Sequence, residues 1–338
     1  MRVSATWQFR VGLRTTPVDT SWGVALDVNG DGYLDEVRNV SDGSTRAGVF
    51  YGTATGFEME PAVVIPTICN GGAYVSAPGD VNGDGFGDLL LRSSPYEWCR
   101  PNLAHVYLGG PGGISERPQH IIDDFPESQY RSFDAIGAGD LNGDGYGDIA
   151  LSSQWIGTIT ARVWFGSARG IEAARGLELP TPEVPTPEGR PREISLRAGM
   201  LLAAGDVNGD RLADLCVGPW VFLGGATGFG TPSFTFDGFA KAAAVADVNG
   251  DGFADWAVSS DLVSSDPARV SVFHGGSSGF SAPPATTLLG SDQYFANTVE
   301  LVDLNADGFS DLIASQPSGG GPPAPRRYYG SPAGLIVE

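Results

Sequence analysis

Asp80-Val81-Asn82-Gly83-Asp84-Gly85-Phe86-Gly87-Asp88 is a nine-residue acidic loop that decides the fold, because the chain contains it six times. The other copies are Asp27-Val28-Asn29-Gly30-Asp31-Gly32-Tyr33-Leu34-Asp35, Asp140-Leu141-Asn142-Gly143-Asp144-Gly145-Tyr146-Gly147-Asp148, Asp206-Val207-Asn208-Gly209-Asp210-Arg211-Leu212-Ala213-Asp214, Asp247-Val248-Asn249-Gly250-Asp251-Gly252-Phe253-Ala254-Asp255 and Asp303-Leu304-Asn305-Ala306-Asp307-Gly308-Phe309-Ser310-Asp311. Successive copies start 53, 60, 66, 41 and 56 residues apart. Self-similarity at such spacing is the mark of a repeat architecture, in which each repeat is one supersecondary unit.

A glycine signature follows each loop: Tyr51–Phe57 (YGTATGF), Leu108–Ile114 (LGGPGGI), Phe165–Ile171 (FGSARGI), Leu223–Phe229 (LGGATGF), His274–Phe280 (HGGSSGF) and Tyr329–Leu335 (YGSPAGL). Short apolar runs such as Leu89–Leu91 and Ile149–Leu151 follow the loops, and others such as Ala161–Phe165 lead into the signatures. No helical period is sustained, so the repeat reads as strand, acidic loop, strand, connection, strand, glycine turn, strand. Four antiparallel strands per repeat, repeated radially, predict an all-β β-propeller over residues 1–338 as a single domain. Six blades are expected, with seven as the alternative. The strand-like Ala5–Val11 is expected to complete the last blade, and the Pro-rich stretch 179–192 to form an extended surface loop.

The loops carry the chemistry. Aspartates at positions 1, 5 and 9, Asn at position 3 and the backbone carbonyl of position 7 offer hard oxygen ligands, a set suited to Ca2+ and poor for zinc. The expected ligands are thus Asp27, Asn29, Asp31, Tyr33 and Asp35 in the first loop and their counterparts in the other five, up to six ions in all. The alternative is a solvated Asp/Gly turn without metal. An EF-hand would need a Glu at position 12 and a helix after it. Position 12 here is Arg38, Leu91, Leu151, Val217, Val258 or Ala314, inside strand-like sequence, so the loop closes on its position-9 Asp. Arg211 replaces the position-6 Gly of the fourth loop and Ala306 the position-4 Gly of the sixth. The fourth site, 206–214, is expected to be the weakest.

Composition agrees with this reading. Gly (49) and Pro (24) make up roughly a fifth of the 338 residues, as many tight turns require. A net charge of −20 argues against nucleic acid, which needs a basic footprint. The loops supply 18 aspartates, and six Ca2+ would bring the net charge to −8. Lys241 is the one lysine beside 19 arginines, a bias suggesting a bacterial source. No apolar run reaches the ~18 residues of a membrane span, and no signal-peptide pattern is visible after Met1. Cys216 reads as a buried core residue, whereas Cys69 and Cys99 could form one disulfide or remain free thiols.

Both signatures, along nearly the whole chain, resemble the FG-GAP repeats of the integrin α-subunit propeller and its bacterial relatives. The resemblance implies structural calcium in loops that join the first two strands of each blade. It also implies an extracellular or cell-surface setting, and a protein or carbohydrate partner bound by a monomeric propeller on the opposite, upper face. Six repeats that all carry the loop depart from the seven blades of integrins, in which only some hold calcium.

Mapped on this chain, the upper face comprises 66–73, 92–103, 126–134, 152–160, 259–268 and 290–297, with Tyr96, Trp98, Tyr130, Trp155 and Tyr294 as candidate anchors. The same mapping brings Cys69 and Cys99 into neighbouring loops. Each aromatic reads equally well as a cap over the core.

No catalytic constellation emerges. His105, His120 and His274 are scattered, and Gly275–Gly279 matches a G-x-S-x-G nucleophile pattern without the helix such an elbow needs. Asn39-Val40-Ser41 fits a glycosylation acceptor. The chain is expected not to be an enzyme. The alternative is a propeller-fold polysaccharide lyase or hydrolase.

Overall fold

The computed structural model describes residues 26–41, 45–66, 74–92, 103–123, 132–155, 158–171, 176–182, 201–236, 239–261, 268–290, 295–315 and 325–336. Among them there is no helix, and every strand pairing of described register is antiparallel. The protein is all-β, as the repeats require.

Compactness divides the chain into two units. One runs from Arg10 to Leu201 with Ala226–Gly228, and the other contains Leu202–Gly225 and Phe229–Glu338. In the first unit, β1 (Glu36–Ser41), β2 (Thr45–Phe50) and β5 (Val63–Pro66) form one sheet, with a ribbon of β3 (Gly52–Thr53) and β4 (Gly56–Phe57) between the last two. The second sheet is β6 (Tyr74–Gly79), β7 (Asp88–Arg92), β8 (Ala104–Tyr107) and β9 (His120–Ile122). The third is β10 (Ser132–Gly139), β11 (Asp148–Trp155), β12 (Thr158–Trp164) and β13 (Leu177–Glu178).

The remaining sheets repeat the plan. They are β14 (Leu201–Gly205), β15 (Asp214–Val217), β16 (Trp220–Phe222) and β17 (Phe234–Thr235), then β18 (Phe239–Ala246), β19 (Asp255–Asp261), β20 (Arg269–Phe273) and β21 (Thr286–Leu289). The last is β22 (Val299–Val302), β23 (Asp311–Ala314) and β24 (Arg326–Tyr328). Each four-stranded sheet is a meander in chain order, the blade of a propeller. The first and last sheets each show three described strands. The pairing expected of Ala5–Val11 lies outside the described residues, as do Cys69 and Cys99.

Stacking explains the apolar runs. Leu89, Leu90 and Leu91 are all buried, but they serve two cores. Leu89 and Leu91 join Val28, Val49 and Ile65 against the first sheet, while Leu90 joins Ile149, Leu151 and Trp164 of the third. A strand covered on both faces reads as a continuous hydrophobic run. In the other unit, Trp256 and Val258 pack with Cys216, Val221 and Phe236, and Ala257 with Leu312 and Ala314. Cys216 is a fully buried free thiol, as expected.

The last residue of a glycine signature plugs the core on the side of the preceding repeat. Ile114 sits among first-sheet residues, Ile171 among second-sheet residues, Phe280 among fourth-sheet residues and Leu335 among fifth-sheet residues. The Pro-rich stretch departs from the expected surface loop at its start. There Leu179 is buried, and its amide donates to the Ala161 carbonyl as an extension of β13.

Candidate metal loops and the interlocked repeat

Five of the six acidic loops join the first two described strands of a sheet, and the first loop leads into β1. Position 12 of every loop lies in a strand, so the EF-hand is excluded by structure as well as by sequence.

Loop 247–255 shows the internal geometry. The Asp247 carboxylate accepts the Gly250 amide on Oδ1 at 2.6 Å and the Gly252 amide on Oδ2 at 3.0 Å. Asn249 Oδ1 accepts the Asp251 amide, Asn249 Nδ2 donates to Asp251 Oδ2, and Asp251 Oδ1 accepts the Phe253 amide. Each short polar side chain thus closes a turn on its own backbone, the reason Asp and Asn are favoured here.

The position-9 Asp does something different. Asp255 accepts the Val248 amide on Oδ2 and, from across the blade, the Gly275 amide on Oδ1 at 2.8 Å. All six loops repeat this double acceptance, by Asp35, Asp88, Asp148, Asp214, Asp255 and Asp311. This carboxylate therefore ties the acidic loop to the glycine turn of its own repeat.

Burial dominates the electrostatics. Asp88 and Asp148 are pushed up to about 8, and Asp214 and Asp255 to about 7. In each case desolvation is the largest cause, two backbone amides offset part of it, and repulsion from the loop's other aspartates adds a smaller rise. Asp80, Asp140, Asp206 and Asp247 are raised by burial as well. Among the described residues, no group of three or more His, Cys, Asp or Glu side chains converges to hold a metal ion. The donor set nevertheless fits a hard cation, because it is all oxygen and its aspartates repel one another.

The two departures from the glycine pattern are explained by backbone and space. Arg211 adopts φ 73° and Ala306 φ 58°, the left-handed conformation that the motif's glycines take at both positions. At position 6 a side chain has room, since a Cβ on Gly252 would meet nothing within 4 Å. At position 4 it has none: a Cβ on Gly30, Gly83, Gly209 or Gly250 would lie 2.3 to 2.6 Å from the position-7 ring of the next loop (Phe86, Tyr146, Phe253 or Phe309).

Of the upper-face candidates, Tyr96, Trp98, Tyr130 and Tyr294 lie outside the described residues, and Trp155 is placed only as the last residue of β11. The Gly275–Gly279 stretch is a tight turn between β20 and β21, with the Gly279 amide donating to the Gly276 carbonyl, and so forms no nucleophile elbow. The sequence reading missed one feature of the end opposite the loops. Arg92, closing β7, pairs with Asp134 near the start of β10, and both side chains are buried.

No family model matches the chain. Integrin alpha-PS2 of Drosophila melanogaster is 28% identical over 160 residues, covering 44% of this chain and 11% of the integrin. Human integrin alpha-7 is 30% identical over 158 residues, covering 45% and 12% respectively. The chain resembles the integrin α subunits. It spans only about an eighth of their length. Among solved structures, the exotype rhamnogalacturonan lyase YesX matches 89% of this integrin-α-like chain and 54% of its own, with a TM-score of 0.51 and 14% identity. That likeness shows a shared fold. It also corrects the expectation that the chain is not an enzyme, because a fold that serves a lyase removes the ground for excluding catalysis.

Proposed function

We propose that the chain is a recognition module of integrin-α type, stabilised by calcium and binding protein or carbohydrate at the end of the sheets opposite the acidic loops. One observation carries this reading. The acidic loops are committed to architecture, since every position-9 Asp bonds the glycine turn of its own repeat. The stretches assigned to the opposite end differ in sequence from repeat to repeat, as binding loops on a rigid scaffold do.

In this reading each loop holds calcium through its position-1, -5 and -9 aspartates, its position-3 Asn and the position-7 carbonyl. A bound ion supplies the positive charge that these mutually repelling carboxylates lack. The reading further takes the two units as one propeller of six blades, closed by Ala5–Val11, monomeric and displayed outside the cell or on its surface. Among the described residues no helix is long and apolar enough to cross a membrane.

A second reading, a polysaccharide lyase, is supported by the fold shared with the rhamnogalacturonan lyase. A glycan and matrix-protein binding array, run beside a lyase assay on rhamnogalacturonan with the same sample, separates the two. Saturable binding to an array member is expected of the recognition module, and release of unsaturated sugar products of the lyase. Turnover of the polymer overturns the binding-module reading, and calcium stoichiometry by metal analysis tests the loops independently.

A further inference from the structure

We infer that neighbouring acidic loops within a unit are one coupled system rather than independent sites. Three contacts recur at each seam and point the same way. The position-1 carbonyl of one loop accepts the position-8 amide of the next: Gly87 to Asp27 and Gly147 to Asp80 in one unit, Ala254 to Asp206 and Ser310 to Asp247 in the other, all at 2.8 to 2.9 Å. The position-2 carbonyl accepts an amide from the next glycine turn, as Ser331 does to Val248 at 3.1 Å. The position-7 ring of the next loop rests on the position-4 glycine.

The peptide between positions 7 and 8 is the hinge of the coupling. Its N–H is spent on the preceding loop, and its C=O is the position-7 oxygen that the calcium reading assigns to its own ion. That metal half rests on the calcium reading. The seam itself does not, because it is made of backbone bonds and a ring on a glycine. Ordering one loop fixes a peptide of its neighbour, so each ion should raise the affinity of the adjacent site, and by linkage the effect is mutual. Phe86, Tyr146, Phe253 and Phe309 are positioning residues in this scheme. They seat one loop on another.

Two glycines of a single loop make the test. Gly250 and Gly252 both have positive φ, so alanine strains loop 247–255 at either position. Only at Gly250 does the new Cβ strike Phe309 of the next loop, at 2.5 Å. Hydrogen exchange of the segment 303–311 is followed in G250A and G252A, in chelator and in Ca2+. Faster exchange there by about tenfold in G250A, with little change in G252A, is expected. Equal effects of the two variants on 303–311 overturn the coupling. Should G250A fail to fold, F309L replaces it, with faster exchange expected in 247–255 and no change there overturning the inference. Calcium titration runs in parallel. Absence of binding sinks the calcium reading while exchange in chelator still decides the seam, and binding by non-interacting sites sinks the coupling alone.

Discussion

Arg92 Nε lies 2.9 Å from Asp134 Oδ1, and this ion pair joins the second and third sheets at the end away from the acidic loops. Both side chains are about nine-tenths buried. Burial holds the Asp134 carboxyl above its ordinary value even with the guanidinium beside it, and the Ala135 amide gives further relief. Counted from the loop, no other repeat has a charged residue at the position of Arg92, whereas Lys241 stands at the position of Asp134.

Arg92→Met is expected to cost about 3 kcal/mol, because it leaves a buried carboxylate without its cation. The sign with pH follows from a raised acid. The Asp134 contribution is fully present below the unfolded value of 3.8 and is lost as pH rises through the folded one. Denaturant melts of the variant should therefore show stability falling with rising pH more steeply than in wild type. Parallel pH profiles for the two proteins would show that the pair contributes nothing.

His105 gives the opposite dependence. Its Nε2 is buried without a hydrogen-bond partner, and burial lowers its pKa. A depressed base contributes stability that is present above the unfolded value of about 6.5 and is lost as pH falls through the folded one. His105→Leu should lose less stability than wild type between pH 7 and pH 5, measured by thermal melts at both values.

Chelation should lower Tm, and excess Ca2+ should restore it. Each site held at a hundredfold excess over its Kd adds about 2.7 kcal/mol. Within that response Arg211→Gly relieves a left-handed non-glycine residue in the fourth loop, so it should raise stability by about 1 kcal/mol and tighten the loop 206–214. Calorimetry with and without Ca2+ checks both statements, and a melting curve indifferent to chelator would count against the calcium.

Gly275 and Gly276 are adjacent in sequence but unequal in space. A Cβ at Gly275 would meet the Ala254 carbonyl oxygen at 2.5 Å and that of Val207 at 2.8 Å, whereas at Gly276 the nearest atom is 4.0 Å away. Gly275→Ala should destabilise by about 3 kcal/mol or more, because backbone must move. Gly276→Ala should be close to neutral. Urea melts of the two variants check the contrast.

The strand order, the place of both signatures and the burial of Cys216 were legible because they depend on local periodicity and turn chemistry. The glycine at position 4 was legible as a turn residue, but not as the seat of the next loop's ring, which only stacking of repeats creates. Arg92 and Asp134 could not be paired from sequence, because each stands alone in its repeat and nothing periodic links them. The upper-face aromatics were proposed by analogy with a family, and analogy places loops without placing side chains.

The plug carried by four of the glycine signatures sets an order on synthesis. Ile114 completes a core walled by the preceding repeat and by Leu89, Leu91 and Tyr107 of its own, and Ile171, Phe280 and Leu335 do the same farther along. A nascent chain that has just delivered one repeat therefore exposes a hollow apolar face until the next is translated. Within a unit a repeat is finished by its successor, so truncation there leaves an open, adhesive end rather than a shorter protein.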